Sequence, residues 1–130
     1  MTFSLFLIGY NAKMCKLKGK IWIDTDKGSF LGYGRLLLLQ KIKETGSISE
    51  SARALNMSYK KAWKLVESIN SQAPSPLVIT RIGGKKGGGA RLTPLGEKLL
   101  DKFQQVYRDF QKFLDKETEE ICQIIKKAGG

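Results

Sequence analysis

Two short helices with polar caps, separated by only about three residues, constrain this chain more than any other feature. Gly46 ends an apolar helical stretch. Ser47 follows as an N-cap, with Glu50 three residues on to complete a capping box, and a short helix runs to Leu55. Asn56, one of the few residues at ease with positive φ, turns the chain. Ser58 is a second N-cap and opens a helix to about Ser71. Two helices joined in this way form a helix-turn-helix. Ala52 falls where the helices approach most closely, so only a small side chain fits. Leu55, Met57, Ala62 and Leu65 take buried positions, and Val66 and Ile69 continue the inner face.

That leaves Ser58, Tyr59, Lys60, Lys61 and Lys64 at the outer, N-terminal end of the second helix. A recognition helix inserts this end into the major groove of a duplex. Lysines there reach phosphates or guanine acceptors, and Ser58 and Tyr59 can hydrogen-bond phosphate or base edges. Ser47 joins these candidate DNA contacts from the first helix. The plain alternative for the lysines is a solvated helix face. Trp63, one turn after Tyr59, is expected to pack beneath a neighbouring hairpin rather than touch DNA.

The flanks supply that hairpin. Ala73-Pro74-Ser75-Pro76 breaks the chain, Leu77–Ile82 reads as a strand, Gly83–Gly89 as a flexible tip, and Ala90-Arg91-Leu92 as the return. Lys85 and Lys86 place charge at the apex, with Arg81 and Arg91 on the strands, and glycine lets the backbone approach phosphates closely. A phosphate-binding P-loop would need Gly-Lys followed by Ser or Thr and then a helix, which is not found here. Gly84-Lys85-Lys86-Gly87 fits the GxxG of an RNA-binding KH fold, although that loop joins two helices; it stays as a minor alternative, beside an exposed turn. Upstream, Lys20–Thr25 alternates as a short strand with Ile21 and Ile23 on one face, residues 26–28 make a turn, and Tyr33–Thr45 is a helix with a wide leucine stripe.

Thr93 caps the last helix, with Pro94 at its first position, and the helix runs to roughly Lys127. Leu99, Phe103, Val106, Phe110 and Phe113 step along it by four, three, four and three residues, a heptad-like seam on a charged helix. So long a seam has more apolar surface than one small domain covers, so a second copy of the chain is the expected partner; the alternative is packing on helix 33–45.

Charge points the same way. The 130 residues carry a formal +11, with +5 over residues 1–46, +6 over 47–93 and zero over 94–130. A basic lobe beside a neutral one is the footprint of a chain that meets a polyanion with one part only, though a basic surface kept for solubility is the bland reading. Histidine is absent, which removes His-based metal sites and the commonest general base, and no nucleophile–base pair or metal cluster can be assembled. An enzyme therefore ranks last and no cofactor is expected. Cys15 and Cys122 lie far apart and outside any metal-ligand spacing, so both are expected reduced in the cytoplasm.

Thr2–Tyr10 is apolar but too short to span a bilayer, and its lysines follow it rather than precede it, so no membrane association is expected. Met14 is the expected natural start, with residues 1–13 an upstream extension or a loose arm. The expected organisation is an N-terminal arm over 1–17, a winged helix-turn-helix over 18–93 and a dimerisation helix of the same domain over 94–130. The fold class is mainly α with a small β-hairpin wing.

Gly46-Ser47-Ile48, Ser58-Tyr59-Lys60 with Ala62-Trp63, and the wing Gly83-Gly84-Lys85 through Gly87-Gly88-Gly89 to Leu92-Thr93-Pro94-Leu95-Gly96 resemble the N-terminal DNA-binding domain of the molybdate-responsive ModE-like regulators. More loosely the region is similar to LysR-type winged helices. The resemblance covers about residues 18–125 and implies a homodimeric, sequence-specific transcription regulator on double-stranded DNA, paired through its long helices and located with the nucleoid. Molybdate-sensing members carry C-terminal oxyanion-binding β-barrel domains, and nothing up to Gly130 could form them. Molybdate or tungstate is therefore not expected to bind this chain directly. The alternative is a protein-interaction adaptor that kept the fold and lost DNA binding.

Overall fold

A computed structural model describes residues 15–81 and 89–129, which fall into two compact units: residues 21–104, and residues 15–20 with 105–129. The larger unit opens with a small hairpin, β1 (Ile23–Thr25) against β2 (Gly28–Leu31). The expected turn at 26–28 is there, and residues 28–31 form a second strand that local periodicity does not predict. The reason is tertiary: Phe30 and Leu31 are buried in the core, while β1 and β2 are too short to hold as an isolated pair.

Three helices follow: α1 (Tyr33–Thr45), α2 (Ile48–Ala54) and α3 (Tyr59–Ser71). Gly46 ends α1 at φ +70, a conformation that glycine adopts without a Cβ penalty, and its N–H donates to the Ile42 carbonyl. Ser47 Oγ caps α2 by accepting from the Glu50 N–H at 3.1 Å. The other half of the expected capping box is filled differently. The Ser47 N–H donates to Thr45 Oγ1 at 3.2 Å, so a threonine in the preceding helix replaces Glu50. Asn56 takes the left-handed conformation at φ 55, and Ser58 Oγ caps α3 through the Lys61 N–H at 3.0 Å.

The second hairpin pairs β3 (Val78–Arg81) with β4 (Gly89–Leu92) in the register Val78↔Leu92, Ile79↔Arg91, Thr80↔Ala90 and Arg81↔Gly89. Side chains alternate in and out of such a ribbon. Val78, Ala90 and Leu92 go inward, and Ile79, Arg81 and Arg91 outward. Asn70 of α3 anchors the strand: its Oδ1 accepts from the Leu77 and Val78 N–H groups and its Nδ2 donates to the Val78 carbonyl. The Ala90 N–H donates to the Gly46 carbonyl, which ties the same hairpin to the α1–α2 junction.

The last helix, α4 (Pro94–Ala128), begins at Thr93, whose Oγ1 accepts from the Gly96 N–H. Here glycine is a steric necessity. A Cβ on residue 96 would lie 2.3 Å from the Leu77 carbonyl oxygen, well inside contact distance. Leu38, Leu39, Ile42, Ile69, Leu77 and Leu100 are fully buried at the centre of the larger unit. Phe103 belongs to this core, and Leu99 packs against it. Two of the five seam residues are thus covered within the chain itself, because each faces the core of its own unit.

In the smaller unit, the segment after residue 14 runs beside α4. Cys15 is bonded to Cys122 with their Cα atoms 6.0 Å apart, and the Leu17 N–H donates to Thr118 Oγ1. This corrects the expectation of two reduced cysteines. A separation of 107 residues says nothing of distance once residues 15–20 lie beside the last helix. Leu114 and Cys122 are buried, while Val106, Phe113, Ile121, Ile124 and Ile125 are exposed. Residues 1–14, with the candidate start at Met14, lie outside the described residues. Among the described residues no helix is long and apolar enough to cross a membrane.

Candidate nucleic-acid interface

The capping that ends α2 and opens α3 decides which residues point outward. Ser58 Oγ accepts from the Lys61 N–H, so the first turn of α3 starts at the surface, and Tyr59, Lys60, Lys61 and Lys64 are all exposed. Ala62, Val66 and Ile69 lie on the opposite side and are buried, the three-and-four spacing of an amphipathic helix. Ala52 is buried at the α2–α3 approach, as its small side chain requires. Ser51 beside it is fully buried and satisfied: its Oγ bonds the Ser47 carbonyl at 2.6 Å and Thr45 Oγ1 at 2.9 Å.

Tyr59 stacks on Trp63 with ring centroids 6.4 Å apart and planes 21° from parallel. Trp63 is half-buried and packs against the core, so it is a platform for Tyr59, which is itself 55% exposed. The stack orders a phenol that would otherwise sample several rotamers.

Lys60, Lys61 and Lys64 line an open groove together with Ser58, Leu65, Ser68 and Arg35. No carboxylate lines it, and among the described residues these cations have no acidic partner. Four converging positive charges leave the groove suited to an anion. Arg35 and Ser68 were not singled out in the sequence, since Arg35 sits in the leucine-rich α1 and nothing local marks it. Burial pushes the Arg35 pKa below its ordinary value, though it stays cationic at neutral pH.

Arg81 and Arg91 are exposed on the outward face of the β3–β4 ribbon. Lys85 and Lys86 lie outside the described residues. Ser47 is half-buried and its Oγ is engaged with Glu50 and Ser49, which makes it a cap first. Among the described residues no group of three or more metal-ligating side chains is found.

Two capped helices, an outward basic end and a β-ribbon behind it are the parts of one known domain. Residues 34–97 match the model of the bacterial regulatory helix-turn-helix protein, lysR family. This stretch is a lysR-family helix-turn-helix domain. Among curated proteins the chain is 35% identical over 102 residues to the molybdenum transport protein ModE of Azotobacter vinelandii, covering 78% of this chain and 38% of that one. It is 44% identical over 87 residues to the molybdenum-pterin-binding protein MopB of Rhodobacter capsulatus, covering 67% and 32%. Against the DNA-binding transcriptional dual regulator ModE of Escherichia coli K12 it is 38% identical over 100 residues, covering 77% and 35%. The ModE-like resemblance therefore holds, and the chain spans about a third of the length of these relatives. A ModE of Haemophilus influenzae, 37% identical over 86 residues, is likewise a transcriptional regulator by name. The fold is also that of full-length CbnR, solved in complex with its target DNA, at TM-score 0.54 and 15% identity, covering 67% of this chain and 28% of that one. The winged helix-turn-helix with a long C-terminal helix is thus the fold of this lysR-family domain.

Proposed function

We propose that this chain is a sequence-specific DNA-binding module of a ModE-like transcription regulator, acting in the cytoplasm as a homodimer on a pseudo-palindromic site. The observation that carries the reading is the groove at the start of α3, where Lys60, Lys61 and Lys64 converge with no acid among its lining residues. In this reading α3 enters the major groove with Ser58, Tyr59 and the lysines foremost, and Trp63 holds Tyr59 upright. Arg81, Arg91, Lys85 and Lys86 of the wing, with Ser47 at the start of α2, meet backbone phosphates. The wing charges position the protein without reading sequence. Molybdate or tungstate has no site in this reading.

The test is binding to duplexes enriched from genomic DNA across a salt series. Lys60→Ala, Lys61→Ala and Lys64→Ala should each weaken binding, and each should cut the log–log salt slope by about one where the lysine meets a phosphate. A triple variant that binds like the unaltered chain would refute the assignment, and would favour the adaptor alternative.

The dimer reading rests on the exposed part of the seam. Val106 and Phe113 remain uncovered, Phe113 being 56% exposed, and they continue the line of Leu99, Phe103 and Phe110. Phe113→Glu should shift the chain toward monomer in sedimentation equilibrium, by removing apolar surface from a pairing face. Unaltered self-association would move the interface elsewhere.

A further inference from the structure

Several side chains outside the helix-turn-helix reach the C-terminal half of α3: Thr25 and Lys27 from the first hairpin, the latter donating from Nζ to the Ser71 carbonyl at 3.0 Å, and Arg35 from α1. Arg35 Nη1 donates to the Ser29 carbonyl at 3.0 Å and the Phe30 carbonyl at 3.1 Å, both on β2, and to Ser68 Oγ at 3.1 Å on α3. Gln72, which caps the end of α3, works in the same network. Its Nε2 donates to the Ser29 carbonyl at 2.7 Å and to Ser68 Oγ at 3.3 Å, and its Oε1 accepts from Thr25 Oγ1 on β1. The β1–β2 hairpin thus grips the end of α3 directly at Ser71 and Gln72, and Arg35, reaching in from α1, extends that grip one turn back to Ser68.

The geometry makes this grip a lever. Ser68 lies ten residues after Ser58, so at 1.5 Å per residue the grip is about 15 Å from the tip that carries the lysines. A tilt of about 10° at the grip would move that tip by about 2.6 Å, enough to break any direct base contact, whereas a polyanion can still be held by diffuse charge. Apolar packing of Ala62, Val66 and Ile69 holds α3 down but tolerates small rotations, because it is non-directional. Directional hydrogen bonds from a planar guanidinium do not.

We propose that Arg35 is a positioning residue for DNA sequence discrimination: by tying β2 to Ser68 it fixes the pitch of α3, so that side chains at the helix tip meet base edges in register. The proposal rests on the DNA-binding reading above. It separates two quantities that the lysines do not. A lysine that meets a phosphate sets affinity for any duplex through charge; Arg35 sets the ratio between the preferred site and other sequences.

The experiment compares binding of an enriched duplex and a scrambled duplex of equal length, over a salt series, for the unaltered chain, Arg35→Lys and Ser68→Ala. Arg35→Lys keeps the charge but replaces the fixed, planar Nη1 donor shared by Ser29, Phe30 and Ser68 with a shorter, freely rotating ammonium. Ser68→Ala keeps every charge and removes the acceptor on α3. The ratio of the two affinities should fall by about tenfold in Arg35→Lys, the scale of losing one charge-assisted hydrogen bond, and by less in Ser68→Ala, with the salt slope unchanged in both. A ratio within about twofold of the unaltered chain in both variants overturns the proposal. So does a parallel fall for both duplexes with the ratio held, which would make Arg35 a simple phosphate contact. If Arg35→Lys does not fold, Ser68→Ala decides alone. An unaltered chain without preference between the duplexes would defeat the DNA-binding reading itself, and this inference with it.

Discussion

The two units of the molecule are held by different physics. Residues 21–104 bury a continuous apolar core in which Leu38, Leu39, Ile42 and Ile69 have no solvent exposure, and its polar groups are largely spent on helix caps and strand ends. Among the described residues, 15–20 with 105–129 bury Leu114 and Cys122, and the two segments are joined by the Leu17–Thr118 bond and a disulfide. The contrast shows that a helix can be continuous from Pro94 to Ala128 while its stabilisation changes in kind along its length. Early in the helix the core holds it; further on, a covalent link to the segment before residue 21 takes over, and apolar side chains such as Phe113 and Ile124 are left in solvent.

The largest effect should come from breaking the first unit. Leu39→Ala removes a fully buried side chain, and such truncations cost about 2–5 kcal/mol, set by how far the site collapses. Chemical denaturation should show this loss with the slope of the transition unchanged. Removing the link is the complementary break. Under a thiol reductant, or in Cys122→Ser, a loop of about 100 residues is no longer closed in the unfolded chain, which in the chain-entropy model is worth up to about 5 kcal/mol and in practice less. Hydrogen exchange sharpens the comparison. The Leu17 amide, whose bond to Thr118 lies next to the link, should lose protection on reduction, while amides of α1 keep theirs. Equal loss in both would mean that the units open as one.

The smallest effect is expected at Lys43 and Glu97, an ion pair 2.9 Å long within the larger unit. Its hydrogen bond and charge interaction with Glu97 raise the Lys43 pKa above the ordinary lysine value. A raised lysine pKa stabilises the fold while the group is protonated, so any contribution is present at neutral pH and fades as pH rises through the folded-state value. Both side chains are exposed, so Glu97→Gln should leave the melting temperature at pH 7 nearly unchanged.

Local signals carried much of the fold. Ser47, Ser58 and Thr93 each act as helix caps, Gly46 and Asn56 each adopt the left-handed conformation, and Pro94 opens α4, because capping and turn chemistry are decided within four residues of chain. The period of Ala62, Val66 and Ile69 likewise fixed which face of α3 turns inward, and so left the lysine-bearing end outward. Strand β2 was not legible, since its pairing depends on Phe30 and Leu31 finding a core built by helices further along.

What the sequence by itself determined is therefore the order of the elements, their caps and the identity of the exposed basic helix end, all set by short-range periodicity and hydrogen bonding. Tertiary structure alone decided that Phe103 turns into its own core while Phe113 stays out, that Cys15 meets Cys122, and that Arg35 reaches Ser68 across 33 residues of chain. Those outcomes depend on which surfaces meet once the chain has folded back on itself, and the spacing of residues along it does not encode that distance.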